Sequence, residues 1–590
     1  MNGLDKPIGD TMTPEDKNFH LNFSPFYAVV AILLLMFVAN HVKADEIEEV
    51  VVTAQIEEVV VADPVTSSSL ISAIQEDFTY PQGGYGGFVG YNERGAQTIH
   101  TSVYVNGIPA NGTGSGWYDF GHDLATGQTV KVISGANGVV YGSGSIAGAV
   151  LIQDTIDSGI TVRLEDGIEF ARIAPTDSIE FSIADSSMGS VRNDNDENDN
   201  YENKTARFDV DLGDFTIVGK YTEYNYDYDN CYTASFTTSN DCLQDGERYN
   251  VAIRNDMLTL GRAYETAEYF TEGDSTYVNE NYRDFIRVGN QLDLSNNLNV
   301  AFGLDAEQQY YKTSSPYSSN VYEDENFGVF MSANADFILN YNFGIRLGND
   351  DQNALRLGIE KGNWFFNVGN SFRKANLYEK FGDAYVDGDE DLKPEEGIGY
   401  ELGFGVVSVF RYEFEETIEY VAGYSTTVIV EPEVSVTDSD TGEVTVTPAV
   451  TEDVYTNATY ANGGDYVTQG FRFANNFGPV YLSLKYTDTD QPRVPKVSGV
   501  VQYSKDFYDI NFRVKYAVQL DREPSQYDYL PEGQTKLDDL KKLNFYATKD
   551  FANGFVLSFK VENITDEEVE VVPFYGVEGT EYYITLNYNW

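Results

Sequence analysis

The last nine residues of the chain, YYITLNYNW (Tyr582–Trp590), decide the fold class. Every second residue from Tyr582 to Trp590 is aromatic or aliphatic, and the residues between them include Thr585, Asn587 and Asn589. Side chains of a β-strand point alternately to its two faces. The stretch is therefore predicted to be a strand with one apolar face, one more polar face and an aromatic residue at its end.

The same alternation recurs upstream, in Phe208–Leu212, Val480–Tyr486, Ile510–Leu520 and Phe555–Val561. Alternating segments of about 10 residues, separated by turn residues, are typical of transmembrane β-barrels. Soluble sandwiches and propellers also alternate. The isolated charges on the polar faces resemble a wet lumen, and 44 Tyr and 36 Phe suffice for two interfacial girdles. We therefore predict an all-β chain that forms a transmembrane antiparallel β-barrel.

The composition excludes several other classes of protein. Among 590 residues, 94 Asp and Glu face 38 Lys and Arg, giving a net charge of -56. Binding to nucleic acid requires basic residues that neutralise phosphates, so it is excluded. With 42% hydrophobic residues the chain is no disordered acidic tail. Two cysteines cannot build a disulfide scaffold, and four histidines leave little room for a His-based metal centre.

The N-terminal region predicts export. Phe26–Ala39 is an apolar run of 14 residues, whereas a membrane-spanning helix needs roughly 20. Val42-Lys43-Ala44 follows and offers small residues for signal-peptide cleavage. Residues 1–44 are therefore expected to be a signal peptide, with a buried core helix as the alternative.

A short repeat follows the expected cleavage site. Ile47–Ala54 (IEEVVVTA) is nearly copied by Ile56–Ala62 (IEEVVVA). A valine-rich extended tail of this kind could add a strand to the sheet edge of a partner protein. The alternative is an ordinary first strand with an acidic flank.

Several segments, taken in order, resemble those of TonB-dependent outer-membrane receptors. Glu48-Glu49-Val50-Val51-Val52-Thr53-Ala54 resembles the TonB box. Further motifs resemble the family's plug and barrel signatures: Tyr104–Pro109 (DG-x-P), Val139–Val150 (YGS-x-A-x-GG), Asn376–Glu379 with Asp391–Glu395 (LYE…LKPE), Tyr400–Gly403 and Val561–Asp566 (NLTD). One departure is Ser134-Gly135-Ala136, where the family usually has Arg-Gly-Pro. Lys131 or Arg94 is expected to supply the plug–barrel ion pair instead.

This resemblance implies a domain order and a set of partners. Residues 45–62 would be a periplasmic segment carrying the TonB box, 63–155 a plug inside the lumen, and 156–590 a barrel, for which 22 strands is the number in plugged transporters. TonB with ExbB and ExbD would supply energy, since the sequence has no GxxxxGK[ST] phosphate loop. The protein would be a monomeric, non-enzymatic receptor in the lipid of the bacterial outer membrane.

Ligand contacts are expected from two glycine-rich plug segments. Pro81–Tyr91 presents Tyr85, Phe88 and Tyr91, and Asn111–His122 adds Trp117, Tyr118, Asp119 and His122. Aromatic surfaces with a few polar groups suit a bulky organic ligand. The alternative, that these aromatic residues merely pack the plug, stays open.

The predicted function is energised uptake of a scarce, bulky nutrient, either a metal chelate such as a ferric siderophore or cobalamin. The alternative is a passive channel or sugar porin, which needs neither a box nor a plug. An outer-membrane hydrolase would need a base beside its nucleophile, and His100 and His122, the histidines of the mature chain, lie in plug-like segments. The acidity of the chain disfavours strongly anionic chelates.

Two loops are candidates for structural cross-links. Cys231 and Cys242 are expected to form a disulfide in an oxidising compartment. Asn193–Asn200 (NDNDENDN) partly fits a calcium loop, but Asp199 stands where the glycine belongs and Thr205 where the final glutamate belongs. A solvated hairpin tip is the preferred interpretation. No cofactor or dedicated metal site is predicted, although structural calcium in the extracellular loops stays possible.

Overall fold

The computed structural model describes residues 56–62 and 86–590. Within the second range it leaves out short stretches, namely 165–167, 190–197, 234–236, 317, 350–352, 384–385, 432–433, 438–443, 448–449, 527, 568, 574 and 577–578. The TonB-box-like residues 48–54, Tyr85 and most of the calcium-like loop lie outside the described residues.

The C-terminal part forms a closed antiparallel barrel of 22 strands, which confirms the predicted fold and strand number. The ring closes where Gly159–Leu164 pairs with Glu581–Asn589. The strands are Gly159–Leu164, Ile168–Thr176, Ile179–Gly189, Asn198–Leu212, Phe215–Tyr228, Cys242–Arg254, Leu258–Thr271, Asp274–Ser295, Leu298–Ser314, Ser319–Asp336, Asn340–Gly348, Asn353–Lys361, Trp364–Arg373, Glu395–Phe404, Val407–Val421, Ala458–Phe477, Val480–Thr489, Pro495–Phe507, Ile510–Arg522, Leu540–Asp550, Phe555–Glu562 and Glu581–Asn589. A two-residue strand, Val386–Asp387, pairs in parallel with Ala458–Phe477 beside the ring.

The alternation in the sequence assigns the two faces of the wall. In the last strand Ile584 and Leu586 are exposed on the outside, while Thr585 and Asn587 are buried inside. A lipid-facing exterior must be apolar and a lumen can be polar. The wall therefore carries its apolar face outward, as predicted.

One aromatic girdle is visible as a row of five tyrosines. Tyr221, Tyr249, Tyr264, Tyr282 and Tyr310 are directly opposite one another on five neighbouring strands. The Tyr249–Tyr264 and Tyr282–Tyr310 rings stack with centroids 4.8 and 4.4 Å apart. Aromatic rings prefer the boundary between lipid and water, so this row marks one membrane interface.

The two ends of the barrel differ in the length of their connections. Turns of two to four residues join strands at the end where the barrel begins and finishes, as in Gly213–Asp214 between Leu212 and Phe215. Longer connections, 229–241, 374–394, 422–457, 523–539 and 563–580, lie at the opposite end. Outer-membrane barrels have short periplasmic turns and longer extracellular loops, so we call the second end the extracellular end.

The extracellular connections contain small elements of their own. One α-helix, Leu377–Phe381, lies in 374–394. Four two-stranded sheets pair Cys231–Tyr232 with Thr238–Ser239, Tyr424–Glu431 with Val450–Thr456, Val434–Thr437 with Val444–Thr447, and Glu570–Val572 with Tyr575–Gly576. Among the residues that the structure describes, no helix is long and apolar enough to span a membrane.

The plug is built around a five-stranded sheet. Its strands, in spatial order, are Ile56–Ala62, Gln128–Ser134, Gly148–Asp154, Thr101–Val105 and Ile108–Pro109. Short 3₁₀ helices, Glu93–Gly95, Thr98–His100 and Gly135–Tyr141, connect them. Val103, Val132, Val150 and other buried residues form the core between the sheet and its loops.

The second copy of the box-like repeat belongs to this sheet. Ile56–Ala62 runs antiparallel to Gln128–Ser134, with Val59 opposite Lys131. It lies at the edge of the sheet and has one neighbouring strand. The chain therefore uses this copy as a strand of the plug.

Cys231 and Cys242 are joined by a disulfide at the extracellular end of the barrel. We expect thiol labelling of the unreduced, denatured protein to find no free cysteine, because the bond persists in an oxidising compartment. The reduced protein is the matched control and should show two labelled thiols. Two labelled thiols before reduction would contradict the prediction.

Candidate functional site

The plug apex is the part of the plug that faces the extracellular connections. Asn111 fixes its glycine-rich loop, donating from its side-chain amide to the carbonyl oxygens of Thr101 (3.0 Å) and Gly116 (3.1 Å). The backbone N–H of Gly112 donates to the carbonyl of Trp117 (2.8 Å). These bonds hold the loop in one shape and leave the Trp117 side chain 41% exposed.

Of the predicted aromatic contacts, the partly buried Phe88 and the exposed Trp117 form a pair. Their rings meet edge to face with centroids 5.7 Å apart. Tyr91 and Tyr118, in contrast, are 3% and 4% exposed and belong to the plug core. The Tyr118 hydroxyl donates to Asp123 (2.7 Å) and the Tyr91 hydroxyl to Glu93 (2.6 Å). Among the predicted aromatic residues that the structure describes, Phe88 and Trp117 are therefore the two that a ligand could touch.

Asp119 and His122 connect the two predicted plug segments to each other and to the wall. The Asp119 carboxylate accepts hydrogen bonds from the backbone N–H groups of Val89 (3.0 Å) and Gly121 (2.9 Å). Burial raises the pKa of Asp119 to about 7, although part of the carboxyl group stays accessible. His122 stacks on Tyr224 of the barrel with centroids 3.6 Å apart. Burial, together with the Arg248 charge, holds the pKa of His122 well below its usual range, so the ring is neutral.

A continuous arc of tyrosines lines the lumen above the apex. Most neighbouring rings have centroids 5.7 to 6.4 Å apart. Tyr277 and Tyr378 are instead linked through Asp383, whose carboxylate accepts hydrogen bonds from their hydroxyls at 3.4 and 3.1 Å. We call this set the tyrosine arc; its members are Tyr226, Tyr228, Tyr269, Tyr277, Tyr378, Tyr460 and Tyr420.

The sequence contained a signal for the arc that our predictions did not use. Tyr224, Tyr226 and Tyr228 alternate along one strand, so they must share a face. Tyr224 contacts His122 of the plug, which identifies that face as the lumen. The remaining members come from distant segments, and only the pairing of the strands brings them together.

The loop helix Leu377–Phe381 joins the arc to the plug apex. Asn376 caps this helix, and its neighbour Leu377 donates its N–H to the carbonyl of Thr113 (2.9 Å). The Asn376 amide donates to the carbonyl of Ser115 (3.3 Å). Since Tyr378 of the same helix belongs to the arc, a displacement of the arc would be transmitted to the apex loop.

A buried ionic network lies beneath this helix. Arg373 donates to both oxygens of Glu395 (2.5 and 2.7 Å) and to both oxygens of Glu379 (2.8 and 3.0 Å). Glu395 also contacts Nε2 of His100 in the plug (2.7 Å), and Nδ1 of His100 meets the Tyr466 hydroxyl (2.8 Å). All of these side chains are buried. The network therefore connects the extracellular helix to the interior of the plug.

A second ion pair links plug and wall where the family's usual arginine is missing. Arg94 donates to Glu401 of the barrel (2.8 Å) and to its neighbour Glu93 (3.2 Å). The hydroxyl of Thr468, on the wall, donates to the carbonyl of Arg94 (2.6 Å). Of the two proposed substitutes, Arg94 thus makes a plug–barrel ion pair.

A polar crevice descends between the apex and the wall. On the plug side it is lined by residues 111–113 and 142–144, and on the wall side by Arg283, Glu307, Lys374 and others. Arg283 pairs with Glu307 (3.1 Å), and Lys374 pairs with Asp324 (2.9 Å). The crevice extends from the apex toward the middle of the barrel.

No group of three or more His, Cys, Asp or Glu that could hold a metal occurs within the described residues. His100 is engaged by Glu395 and Tyr466, and His122 is packed on Tyr224. The arrangement as a whole is an aromatic vestibule over a fixed plug.

Comparison with known proteins gives two family matches. The family described as "TonB dependent receptor-like, beta-barrel" matches residues 152–564, and the "TonB-dependent Receptor Plug Domain" matches residues 40–149. A protein named vitamin B12 transporter BtuB, from Photobacterium profundum, is 21% identical over 577 residues, covering 86% of this chain and 87% of that protein.

Solved structures share the fold at low sequence identity. The siderophore receptor PirA from Acinetobacter baumannii superposes with a TM-score of 0.66 and 14% identity, over 93% of this chain and all of that chain. The ferric enterobactin receptor PfeA in complex with BCV-L6, from Pseudomonas aeruginosa, has a TM-score of 0.66 and 14% identity over 90% and 99% of the two chains. With the plug and barrel matches together spanning most of the sequence, the chain belongs to the family of TonB-dependent receptors.

Proposed function

We propose that this protein takes up a scarce, bulky nutrient across the outer membrane, using energy delivered by TonB with ExbB and ExbD. The observation that carries the proposal is the plug inside the barrel, fixed to the wall by Arg94 and His100 beneath the tyrosine arc. Such a plug must be displaced before a bulky ligand can pass. A porin needs no plug, so the passive channel is not favoured.

The ligand class is a metal chelate such as a ferric siderophore, or cobalamin. The names of the relatives, a vitamin B12 transporter and siderophore receptors, support this class. We further propose that the ligand rests on Phe88, Trp117 and the tyrosine arc, since large rings contribute contact area at a small entropic cost. The net charge of -56 argues against strongly anionic chelates.

The proposal includes the organisation of the chain. Residues 1–44 would be the signal peptide, 45–62 the segment that carries the TonB box and ends in the edge strand Ile56–Ala62 of the plug sheet, 63–155 the rest of the plug and 156–590 the barrel, acting as a monomer in the bacterial outer membrane. Glu48–Ala54 would be the segment that TonB engages. The family consists of receptors and transporters, and no enzymatic role is proposed.

The proposal is tested by uptake in a strain that lacks this protein. Radiolabelled cyanocobalamin and a panel of ferric siderophores would be offered to cells with and without the gene, in backgrounds with and without TonB. We expect saturable uptake of one ligand that requires both proteins. Uptake that is unaffected by the loss of TonB, or that is equally rapid for small sugars, would instead indicate a passive channel.

We expect the mature protein to lack residues 1–44, because the 14-residue apolar run Phe26–Ala39 precedes small residues suited to cleavage. N-terminal sequencing of protein extracted from purified outer membranes should begin at or near Asp45. Recovery of Met1 in that fraction would contradict the prediction.

Trp117→Ala should weaken ligand binding at least about tenfold, because exposed tryptophans are frequent energetic anchors of binding sites. Binding of the ligand identified in the uptake experiment would be measured on whole cells. Phe507→Ala is the matched control: Phe507 is also exposed, at 60%, but lies at the periplasmic end. Equal affinities for both variants would remove Trp117 from the site.

A further inference from the structure

Three arginines of the wall, the partly buried Arg287 and the buried Arg346 and Arg356, surround one segment of the plug, residues 139–142. Arg287 donates to the carbonyl oxygen of Val140 (3.4 Å). The guanidinium of Arg346 is so close to Gly142 that a methyl group there would come within 3.2 Å of it. Arg356 lies directly opposite Gly344, where a methyl group would contact both Arg356 and Val139 at 3.8 and 3.9 Å.

Two of these arginines share one carboxylate, and the third is hydrogen-bonded to none. Asp305 accepts hydrogen bonds from both Arg287 (3.1 Å) and Arg346 (2.5 and 2.9 Å). Arg356 is 1% exposed, and its Nε, Nη1 and Nη2 atoms have no hydrogen-bond partner in the part of the chain that the structure describes. Its charged neighbours, Glu360 and Glu401, act only through space, and Glu401 is hydrogen-bonded to Arg94.

Other buried arginines of the same interface are paired. Arg207 forms ion pairs with Glu180 (2.6 Å) and Asp154 (2.9 Å). Arg373 pairs with two carboxylates as well, Glu379 and Glu395. Arg356 differs from these two arginines because it has no such carboxylate partner among the described residues.

Two further polar side chains beside Arg356 are also unsatisfied. The amide nitrogen and oxygen of Asn367 and the hydroxyl of Ser371 have no hydrogen-bond partner among the described residues, and both side chains are buried. Arg356 is directly opposite Gly369 of the neighbouring strand, which also carries Asn367 and Ser371, so these two residues are its diagonal neighbours. Diagonal cross-strand neighbours are about 7–8 Å apart, within reach of a long side chain. Gly344 and Gly369 are the residues directly opposite Arg356 on its two neighbouring strands, and neither has a side chain.

An unpaired charge in such a place is strongly unfavourable unless something compensates it. A water molecule can accept a hydrogen bond from the guanidinium but cannot balance its positive charge. A guanidinium, an amide and a hydroxyl together offer hydrogen-bond donors, and donors around a positive charge are complementary to an anion. We propose that Arg356, with Asn367 and Ser371, binds a small inorganic anion of the halide class at the buried contact between the barrel wall and the plug.

This site would act independently of the transported nutrient. The anion lies between the cationic wall and plug residues 139–142, so it stabilises the seated plug. Because it is enclosed only while the plug is in place, displacement of the plug would expose it and release it. The site is distinct from the tyrosine arc and does not depend on which nutrient is taken up.

Bromide is the probe for the site, because it substitutes for chloride and gives an anomalous X-ray signal. Crystals of the full mature chain grown in sodium bromide should show an anomalous peak within hydrogen-bond reach of the Arg356 guanidinium. Arg356→Met should lose that peak, while Arg411→Met should retain it, since Arg411 is an exposed arginine paired with Glu413 on the outer face. Absence of bromide at Arg356 in the wild-type protein would overturn the proposal.

A solution measurement covers the case in which Arg356→Met does not fold. The unfolding temperature of the detergent-solubilised protein should rise saturably with bromide, relative to sodium gluconate at equal ionic strength. Asn367→Leu keeps the charge and removes one donor, so its bromide dependence should be weaker, whereas that of Arg411→Met should equal that of the wild type. Identical bromide dependence in Asn367→Leu, Arg411→Met and the wild type would count against a specific site.

Discussion

Val51→Pro should abolish energised uptake while ligand binding at the cell surface stays at the wild-type level. The substitution fixes φ and removes a backbone N–H in the TonB-box-like segment. Pairing with a partner strand depends on that N–H and on an extended backbone. The resemblance to the TonB box implies that the segment lies on the periplasmic side of the plug, so we expect the vestibule to be untouched. Uptake and binding of the same labelled ligand would be measured separately.

The repeat provides an internal control for this experiment. Val59 occupies the equivalent position of the second copy, but Ile56–Ala62 is paired with Gln128–Ser134 in the plug sheet. Val59→Pro should therefore perturb the plug sheet, and its effect should differ from that of Val51→Pro in the box-like segment. If Val51→Pro, alone or combined with Val59→Pro, still imported ligand at the wild-type rate while fully inserted, energised transport would be the wrong interpretation.

Arg373→Met should destabilise the seated plug more than any single surface substitution. The change leaves Glu379 and Glu395 buried without their shared cation. Breaking a buried ion pair by removing one partner costs about 3–5 kcal/mol. We expect a lower unfolding temperature and greater sensitivity of cells to large hydrophilic antibiotics, which an ordered plug keeps out.

Two further variants identify the cause of the lower plug stability expected for Arg373→Met. Arg411→Met removes an exposed arginine, 45% accessible, whose surface pair contributes little. Adding Glu379→Gln and Glu395→Gln to Arg373→Met removes the uncompensated charges and should restore part of the stability. If Arg373→Met matched Arg411→Met in both readouts, the network would have no role in fixing the plug.

The barrel was predictable because its strands obey one short-range rule. Alternation along Ile510–Leu520 assigned the exposed Val514 and Tyr516 to one face and the buried Gln519 to the other. Burial in lipid outside and in a polar lumen inside imposes this pattern on every strand. The strand count followed from chain length only once the family had been recognised.

The site was less predictable because the plug segments lack such a rule. In the loops around Tyr91 and Trp117, glycines remove the periodicity from which a face could be assigned. Both residues are aromatic beside glycine, yet one packs in the plug core and the other is exposed. The tyrosine arc and the Arg373 network join residues far apart in the sequence, and only the register of paired strands brings them together.

The position of Ile56–Ala62 has a mechanical consequence. One residue, Gln55, separates this strand from the box-like segment, so tension applied to the box reaches the strand before any other element of the plug. An edge strand is held by the backbone hydrogen bonds of a single neighbour, whereas removing an inner strand breaks two sets of bonds. The load therefore falls first on a strand at the edge of the sheet. Extraction of the plug would proceed in sequence order from this strand, with the remaining four strands still assembled when it detaches.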